Sequence, residues 1–243
     1  PSVTLPTGTY LLEGTRTPGL NNASRARAGF SALDLAVQSA HALLLRSGLA
    51  AGALDGVVLA TGASQAADQV RQRLQLGSLT PLQQCSQGLD AITRASQQIR
   101  SGDADLLLVI ASDAATLPDS TAVSESAKRL AALFEVDEED AEAYEQACRQ
   151  RSSEAEQSGL FSPYRITLFD RHGEVYDTDQ HTPDSGACAL LLASASGCAQ
   201  LKRHPLARLS RQALARAPSD YPSLAPLLAS TRLLQAEQLG LND

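Results

Sequence analysis

Cys85 is the residue of this 243-residue chain whose type and position could most directly do chemistry. It follows an extended segment at residues 79–84 and precedes a predicted helix that begins at Ser86. The unpaired N–H groups and the dipole of a helix N-terminus stabilise a thiolate, the form of cysteine that attacks carbonyl carbons. Cys85 is therefore a candidate nucleophile for acyl chemistry. The alternative is a buried free cysteine that acts as a small hydrophobic side chain.

The other three cysteines have no comparable placement. Cys188 and Cys198 flank an apolar strand and Cys148 lies on a polar helix, so a structural or incidental role fits them. The spacing of the four cysteines includes no CxxC and no Cys/His ligand pattern, so we expect neither a disulfide scaffold nor a metal site. Cysteines that stay reduced, in a sequence without an export signal at its start, favour a cytoplasmic location.

Composition excludes several classes of function. Lys and Arg number 20 against 27 Asp and Glu, and the resulting net charge of −7 disfavours nucleic acid as the main partner. The longest apolar runs, such as residues 106–111, are too short to span a membrane. A hydrophobic content of 43% and a charged content of 19% are typical of a globular protein.

Apolar strands alternate with helices in the first part of the chain, and these elements must position Cys85. The pattern predicts an α/β fold, with a mixed, mostly parallel sheet flanked by helices. In the helix after Cys85, Leu89 and Ile99 fall on the predicted inner face. The predicted strands are residues 10–13, 57–60, 79–84, 105–112, 187–193 and 206–209, and the predicted helices are residues 30–46, 64–76, 86–100, 126–134, 135–155 and 224–239.

Several motifs occur along the chain in the same order as in thiolases. Residues 84–91 (QCSQGLDA), followed by residues 98–105 and the strand LLLVIAS, resemble the acylated-cysteine region of that family. Residues 14–18 (GTRTP) resemble the segment after the first thiolase strand, and residues 126–161 resemble the thiolase loop domain. Residues 184–190 (DSGACAL) and 205–209 (PLARL) resemble a core strand and the strand that opens the second half. The chain is thus similar to thiolases over nearly its whole length.

This resemblance implies a layered thiolase-like fold with an incomplete second half. Its expected parts are an N-terminal βα core at 1–115 and a reduced helical loop region at 116–172. Residues 173–199 would return to the N-terminal core, and residues 200–243 would start the C-terminal half. Thiolases are usually dimers or tetramers, so a homodimer or larger assembly is expected, with a partner chain as a possible source of a complete second half.

The resemblance also implies a reaction. Thiolases exchange acyl groups with coenzyme A, cleaving 3-ketoacyl-CoA or condensing two acyl-CoAs through an acyl-enzyme. Cys85 matches the acylated cysteine, and Gln87, Gly88 and His181 are the expected substrate-binding residues. Coenzyme A would be a co-substrate and acyl-CoA the small-molecule partner, with no metal and no covalently bound cofactor.

Four departures from the thiolase pattern bear on activity. Gln87 replaces a small serine beside the nucleophile, which would narrow the acyl pocket. Residues 179–183 (DQHTP) replace an Asn-Ala-Ser segment that touches pantetheine, and the loops at 115–125 and 161–176 are short. The family's catalytic His in GHP, its second Cys in CxGGG and its Asn-Glu-Ala-Phe loop all follow the point that matches Asp243.

His181 is the one histidine in a loop that the family places near the active site, so it is the candidate substitute base. His41 lies within a helix, and His172 and His204 lie in polar stretches, where ordinary solvated roles are expected. Three hypotheses follow. The first is a thiolase-class acyltransferase whose missing catalytic groups lie in a part of the gene product that this chain does not include. The second is a catalytically impaired subunit or acyl-CoA-binding partner. The third is a stand-alone cysteine acyl-enzyme with His181 or solvent as base.

Overall fold

The structure is a computed structural model that describes residues 5–63, 65–114, 120–180, 183–218 and 220–241. The chain divides into two compact units. The first comprises residues 1–115 and 162–210, and the second comprises residues 116–161 and 211–243.

The first unit holds all eight strands of the described residues, together with most of the helices. The strands are β1 (Thr9–Arg16), β2 (Gly56–Ala60), β3 (Leu82–Cys85), β4 (Leu106–Ala114), β5 (Leu168–Phe169), β6 (Val175–Tyr176), β7 (Ser185–Ala193) and β8 (Ala207–Leu209). Its helices are α1 (Asn22–Ala28), α2 (Ala32–Ser47), α3 (Ala66–Arg73), α4 (Gly88–Ser101) and α7 (Ala195–Leu201).

Six of these strands form one sheet in the order β3-β2-β4-β7-β1-β8. β2 pairs in parallel with β3 and β4, whereas β7 runs antiparallel to both of its neighbours, β4 and β1. β8 runs antiparallel to β1 at the far edge. Four strands therefore point one way and two the other, which confirms the predicted mixed, mostly parallel sheet between helices.

Apolar clusters cover both faces of the sheet. On one face α2 and α3 pack on β2, β4 and β7 through a large buried cluster that includes Leu43, Val70 and Leu108. On the other face α4 packs through a smaller cluster that includes Ala91, Ala95 and Ile99. Because strands buried on both faces need apolar residues at every position, β2 and β4 are continuous apolar runs rather than alternating ones.

The structure differs from the sequence prediction in several elements. α1, α7 and the small β5–β6 hairpin were not predicted, and residues 159–171 were expected to be irregular. The helix after Cys85 begins at Gly88 rather than Ser86. The prediction that Leu89 faces inward was wrong, since its side chain is 78% exposed. Ile99 does face the core, as predicted.

The second unit contains α5 (Ser120–Leu133), α6 (Glu138–Gln157) and α8 (Ala225–Glu237), the last preceded by a 3-10 turn at Pro222–Leu224. Ser126 is its one fully buried residue among those whose burial is described, and its hydroxyl donates to the carbonyl of Asp220. The acidic helix α6 buries no residue. Residues 135–145 hold seven acidic side chains, and a charge run of this kind usually forms a solvated helix face.

The described helices include no single one that is both long enough and apolar enough to cross a membrane. One bent pair, α1 with α2, meets the length and composition test jointly, with an angle of 80° between its two members.

Candidate functional site

Cys85 is the last residue of β3, at the edge of the sheet where the parallel strands β2, β3 and β4 end. It pairs with Ala60 at the end of β2, and its side chain is half-buried against the cluster beneath α4. In open α/β sheets, ligands bind in the crevice outside the carboxyl ends of the strands. Cys85 is therefore at the edge of the sheet where a binding site is expected.

The thiol of Cys85 contacts Gln87, the residue at the N-cap position of the next helix. Its Sγ lies 3.5 Å from the carbonyl oxygen of Gln87, to which the thiol can donate. Gln87 is extended, with φ −133° and ψ 138°, and its side chain does not cap α4. The predicted helix start directly after the cysteine is thus wrong by two residues, because Ser86 and Gln87 form an extended link. The N–H groups of the first turn of α4 have no side-chain cap.

A cavity of about 640 Å³ opens beside this link, and all of its described walls belong to the first unit. The predicted substrate-binding residues Gln87 and Gly88 both line it. Backbone and small side chains dominate the walls, and Arg16 and Asp113 are the charged residues among them. The lining residues are Arg16, Thr17, Gly19, Ala60, Gly62, Ser86, Gln87, Gly88, Ala111, Ser112, Asp113, Gly186, Ala187 and Cys188.

Gly88 and Ala111 bring two walls of this cavity together. A Cβ added at Gly88 would lie 3.3 Å from the Cβ of Ala111, which is tighter than most real contacts between such atoms. A larger residue at position 88 would require the end of β4 to shift by a few tenths of an ångström. The small residues at both positions therefore let the first turn of α4 lie close to the end of β4.

Arg16 forms one side of the cavity and is held in place by Asp179. Its two terminal nitrogens donate to the two carboxylate oxygens of Asp179 at 2.7 and 2.6 Å. Asp179 also accepts from the backbone N–H of Gly19 at 2.7 Å and pairs with Arg165 at 3.4 Å. Burial tends to raise the pKa of Asp179, but the hydrogen bonds from Arg16 and Gly19 and the two guanidinium charges hold it below its usual value.

The loop that follows Asp179 packs on the segment after β1. Gln180 donates its backbone N–H to the carbonyl of Gly19 and accepts from the N–H of Asn21 at 2.8 Å. Pro183 approaches so closely that a Cβ at Gly19 would lie 2.7 Å from the proline Cβ. Asp179, Gln180 and Pro183 thus support the wall of the cavity. His181 itself lies outside the described residues.

The described histidines do not take part in this site. His41 Nε2 lies 3.0 Å from the carbonyl oxygen of Arg73, and the ring nitrogen of His172 accepts from the guanidinium of Arg171 at 3.1 Å. His204 is exposed, and none of these three histidines lines the cavity. Within the described part of the chain, no group of three His, Cys, Asp or Glu residues could hold a metal ion.

Cys188 is the cavity residue that the sequence prediction missed. It was assigned a structural or incidental role, yet its half-buried side chain lines the cavity. Burial raises the pKa of its thiol, against a smaller opposing effect from a hydrogen bond with the backbone of Ala111. The signal that could have found it is register, because Cys188 pairs with Arg16 on one side and with Ala111 on the other.

Comparisons with known proteins find similarity to thiolases in curated sequences and in solved structures. No family model matches the chain. The β-ketoadipyl-CoA thiolase of Escherichia coli is 24% identical over 314 aligned positions, which cover 96% of this chain and 78% of that protein. Since the alignment is longer than the 243 residues of this chain, the thiolase has internal segments that the chain lacks.

Solved structures agree with that similarity at the level of the fold. The acetyl-CoA acetyltransferase of Syntrophomonas wolfei superposes with a TM-score of 0.85 at 18% identity, covering 98% of this chain and 77% of that one. Human mitochondrial 3-ketoacyl-CoA thiolase in complex with CoA gives a TM-score of 0.83 at 18% identity, covering 97% and 77%. The sheet, its flanking helices and the strand end that carries Cys85 therefore lie within a shared architecture.

Proposed function

We propose that the chain is a thiolase-type protein and that it accepts acyl groups from coenzyme A thioesters onto Cys85, since it is 24% identical to a curated thiolase over 96% of its length. The observation that carries this proposal is the position of Cys85 at the end of β3, next to the Ser86–Gly88 wall of the cavity. A cysteine at the strand ends with open space beside it has room for the acyl group of a thioester, which is one requirement of covalent acyl transfer.

The proposed step is a thioester exchange. The Cys85 thiolate attacks the carbonyl carbon of an acyl-CoA, a new S–C bond forms, and the bond from that carbon to the coenzyme A sulfur breaks. Coenzyme A leaves as a thiolate and takes up the proton that Cys85 gave away. The uncapped N–H groups at the start of α4 favour negative charge nearby.

The base that removes the proton from Cys85 is proposed to be His181. Its support is sequence position, together with the contacts of its neighbours Gln180 and Pro183 to Gly19, a residue of the cavity wall. A histidine with a pKa near neutrality suits proton transfer at physiological pH. His181→Asn is expected to slow acylation of Cys85 while leaving the fold intact.

A second candidate function is acyl-CoA binding without turnover, in a subunit of a larger thiolase assembly. It is favoured by the thiol of Cys85, which faces the carbonyl of Gln87 and not a base among the described residues. A homodimeric or larger assembly, the use of coenzyme A as co-substrate and a cytoplasmic location remain predictions within this proposal.

The deciding experiment is intact-mass analysis after incubation with acetyl-CoA. We expect one acetyl adduct on the wild-type chain and none on Cys85→Ala. Cys148→Ala is the matched control, since Cys148 lies on α6 in the second unit and should leave the adduct unchanged. An adduct that persists in Cys85→Ala would contradict the proposed nucleophile.

Absence of any adduct on the wild-type chain, with acetyl-CoA still bound in a calorimetric titration, would favour the binding function over catalysis. A separate measurement tests the activation of the thiol. Iodoacetamide at about pH 6 should label Cys85 faster than Cys148, because only the thiolate reacts. Equal labelling rates would contradict the proposal that the start of α4 activates the Cys85 thiol.

A further inference from the structure

Polar residues join the ends of the three parallel strands β2, β3 and β4 at the edge of the sheet that carries Cys85. Gln84 directly precedes Cys85 on β3, so its side chain lies on the face away from the cluster beneath α4. Thr61 directly follows β2, and Ser112 lies near the end of β4. Both Gln84 and Ser112 bond to Thr61, which therefore links the three strand ends.

Thr61 also connects Cys85 to the segment that follows β2, residues 61–63. Its backbone N–H donates to the carbonyl of Cys85 at 3.0 Å. Its hydroxyl oxygen accepts from the hydroxyl of Ser112 and from the N–H of Ala63, both at 3.3 Å. Thr61 and Ser112 are buried, so removal of a partner would leave a buried polar group unsatisfied. The backbone that carries Cys85 is thus bonded directly to the 61–63 segment.

Gln84 holds the 61–63 segment from the neighbouring strand. Its side-chain Nε2 donates to the carbonyl of Ala63 at 3.0 Å and makes a longer contact of 3.4 Å with the carbonyl of Thr61. Both contacts use the amide as a donor, since a carbonyl oxygen can only accept. Gln84 therefore bridges the two ends of the segment, and a side chain that cannot donate would release it.

The 61–63 segment forms part of the wall of the cavity. Gly62 lines the cavity, as does Ala60 directly before the segment. Beyond the segment, Gln65 has φ 58°, a left-handed conformation that a residue other than glycine adopts only at a cost. Strained backbone keeps its place only where its surroundings hold it. We therefore expect the segment to move when its contacts with β3 are lost.

We propose that Gln84 is a positioning residue, which holds the 61–63 segment and with it one wall of the cavity beside Cys85. This inference rests on the proposed function, because it assigns Gln84 a role in acyl transfer to Cys85. Gln84 is not among the described residues that line the cavity. It acts through Gly62 in the wall and through the bond from Thr61 to the carbonyl of Cys85.

The neighbouring glutamine on the same strand provides a matched control. Gln83 Oε1 accepts from the side-chain amide of Gln98 on α4 at 3.1 Å. Gln83→Glu keeps an accepting oxygen and so keeps this bond, whereas Gln84→Glu replaces a donor by a carboxylate that faces two carbonyl oxygens. The two substitutions are alike in size and charge. A third variant, Gln84→Met, removes the donor without adding charge.

Amide hydrogen exchange measures directly how firmly the segment is held. Peptides that cover residues 61–63 should exchange about three- to tenfold faster in Gln84→Glu and in Gln84→Met, as the loss of one or two hydrogen bonds predicts. Gln83→Glu should exchange as the wild type does. Equal exchange in the wild type and all variants would overturn the inference, whether or not Cys85 is acylated.

Acetyl transfer tests whether the position of the segment matters for the reaction. Intact-mass time courses should show transfer from acetyl-CoA to Cys85 slowed by about tenfold in Gln84→Glu and Gln84→Met, because misplaced groups around a reacting centre slow the reaction. Gln83→Glu should keep the wild-type rate. Alkylation of Cys85 by iodoacetamide, a small reagent that needs no such wall, should change by less than about twofold. An equal loss of alkylation and acetyl transfer would mean general damage to the strand end, and would overturn the positioning role.

The inference and the proposed function fail in different ways. Faster exchange of the 61–63 segment with unchanged acetyl transfer would overturn the positioning role of Gln84 and leave acylation of Cys85 intact. A wild-type chain that takes up no acetyl group overturns the proposed acyl transfer instead. Faster exchange in Gln84→Glu would then still support Gln84 as the residue that holds this wall of the cavity.

Discussion

The helices α2 and α4 pack on opposite faces of the same sheet, and they begin in different ways. Ser31 accepts from the N–H of Asp34 while the Asp34 carboxylate accepts from the N–H of Ser31, which closes a capping box at the start of α2. α4 begins after Gln87, which makes no side-chain cap, and a cavity opens at that point.

The difference separates stability from chemistry. A helix whose first N–H groups are bonded internally gains stability and has little left to offer a ligand. A helix whose first N–H groups are open forgoes that gain and keeps an anion-favouring end beside Cys85. The capped start of α2 therefore contributes to stability, and the uncapped start of α4 lies beside the candidate site.

The largest expected effect is on the apolar cluster between α2 and the sheet. Leu43 on α2 is fully buried, so Leu43→Ala should lower the free energy of unfolding by about 2–5 kcal/mol. Leu89→Ala on α4 is the matched control and should cost less than about 0.5 kcal/mol, because Leu89 is exposed. Urea denaturation followed by circular dichroism measures both. Equal losses would contradict the placement of Leu43 in the core and of Leu89 on the surface.

Smaller changes in stability are expected at the two helix starts, a loss for a variant at the start of α2 and a gain for a variant at the start of α4. Ser31→Ala removes the cap of α2 and should cost about 1 kcal/mol. Gln87→Ser places a capping side chain three residues before Asp90, as Ser31 stands before Asp34, and should gain about 0.5–1 kcal/mol. Thermal melts of these two variants and of Gln87→Ala, expected to be neutral, test the comparison. A large loss in Gln87→Ala would contradict an uncapped start.

The smallest effect is a dependence of stability on pH. Burial tends to raise the pKa of Asp34, but hydrogen bonds from Ser31 and Arg73, with the charge of Arg73, hold it below 3.8. The Asp179 carboxylate is shifted the same way. A lowered pKa in the folded state contributes stability above the unfolded pKa, and that contribution is lost as pH falls through the folded pKa.

Melting temperature should therefore fall as the solution is acidified through and below 3.8, the usual pKa of an aspartate. Asp34→Asn should make the melting temperature depend less on pH, because it removes the contribution of the Asp34 carboxylate at the start of α2. Asp179→Asn should do the same by removing the contribution of the Asp179 carboxylate at the cavity wall. Each variant should cost about 1 kcal/mol or less near neutral pH, because both ion pairs are partly exposed. Identical acid profiles in wild type and variants would count against these two groups.

Sequence patterns predicted best where local signals were strong. The end of α2 was marked by Gly48, and its start by Ser31 three residues before Asp34. The start of α4 was misplaced because neither Ser86 nor Gln87 makes a cap that the pattern could recognise. The position of β7 between β4 and β1 depends on pairing between segments far apart in the chain, which periodicity does not encode.

The candidate site was predictable only in part, for the same reason. Cys85 stood out because a strand, a cysteine and a helix are adjacent in sequence. Cys188 did not, because a continuous apolar strand hides which of its residues face the helix carrying the site. Arg16 and Asp179 are 163 residues apart, and no local pattern links the two sides of that ion pair.

The central place of β7 has a consequence for the order in which the protein assembles. In the sheet of the described residues β1 pairs with β7 and β8, so β1 must wait for residues 185–209 before it can join the sheet. The parallel strands β2, β3 and β4 can associate much earlier through contacts closer in sequence. Closure of the sheet is therefore a late folding event of high contact order, and a nascent chain shorter than residue 193 exposes the open edge of β4 to chaperones and aggregation.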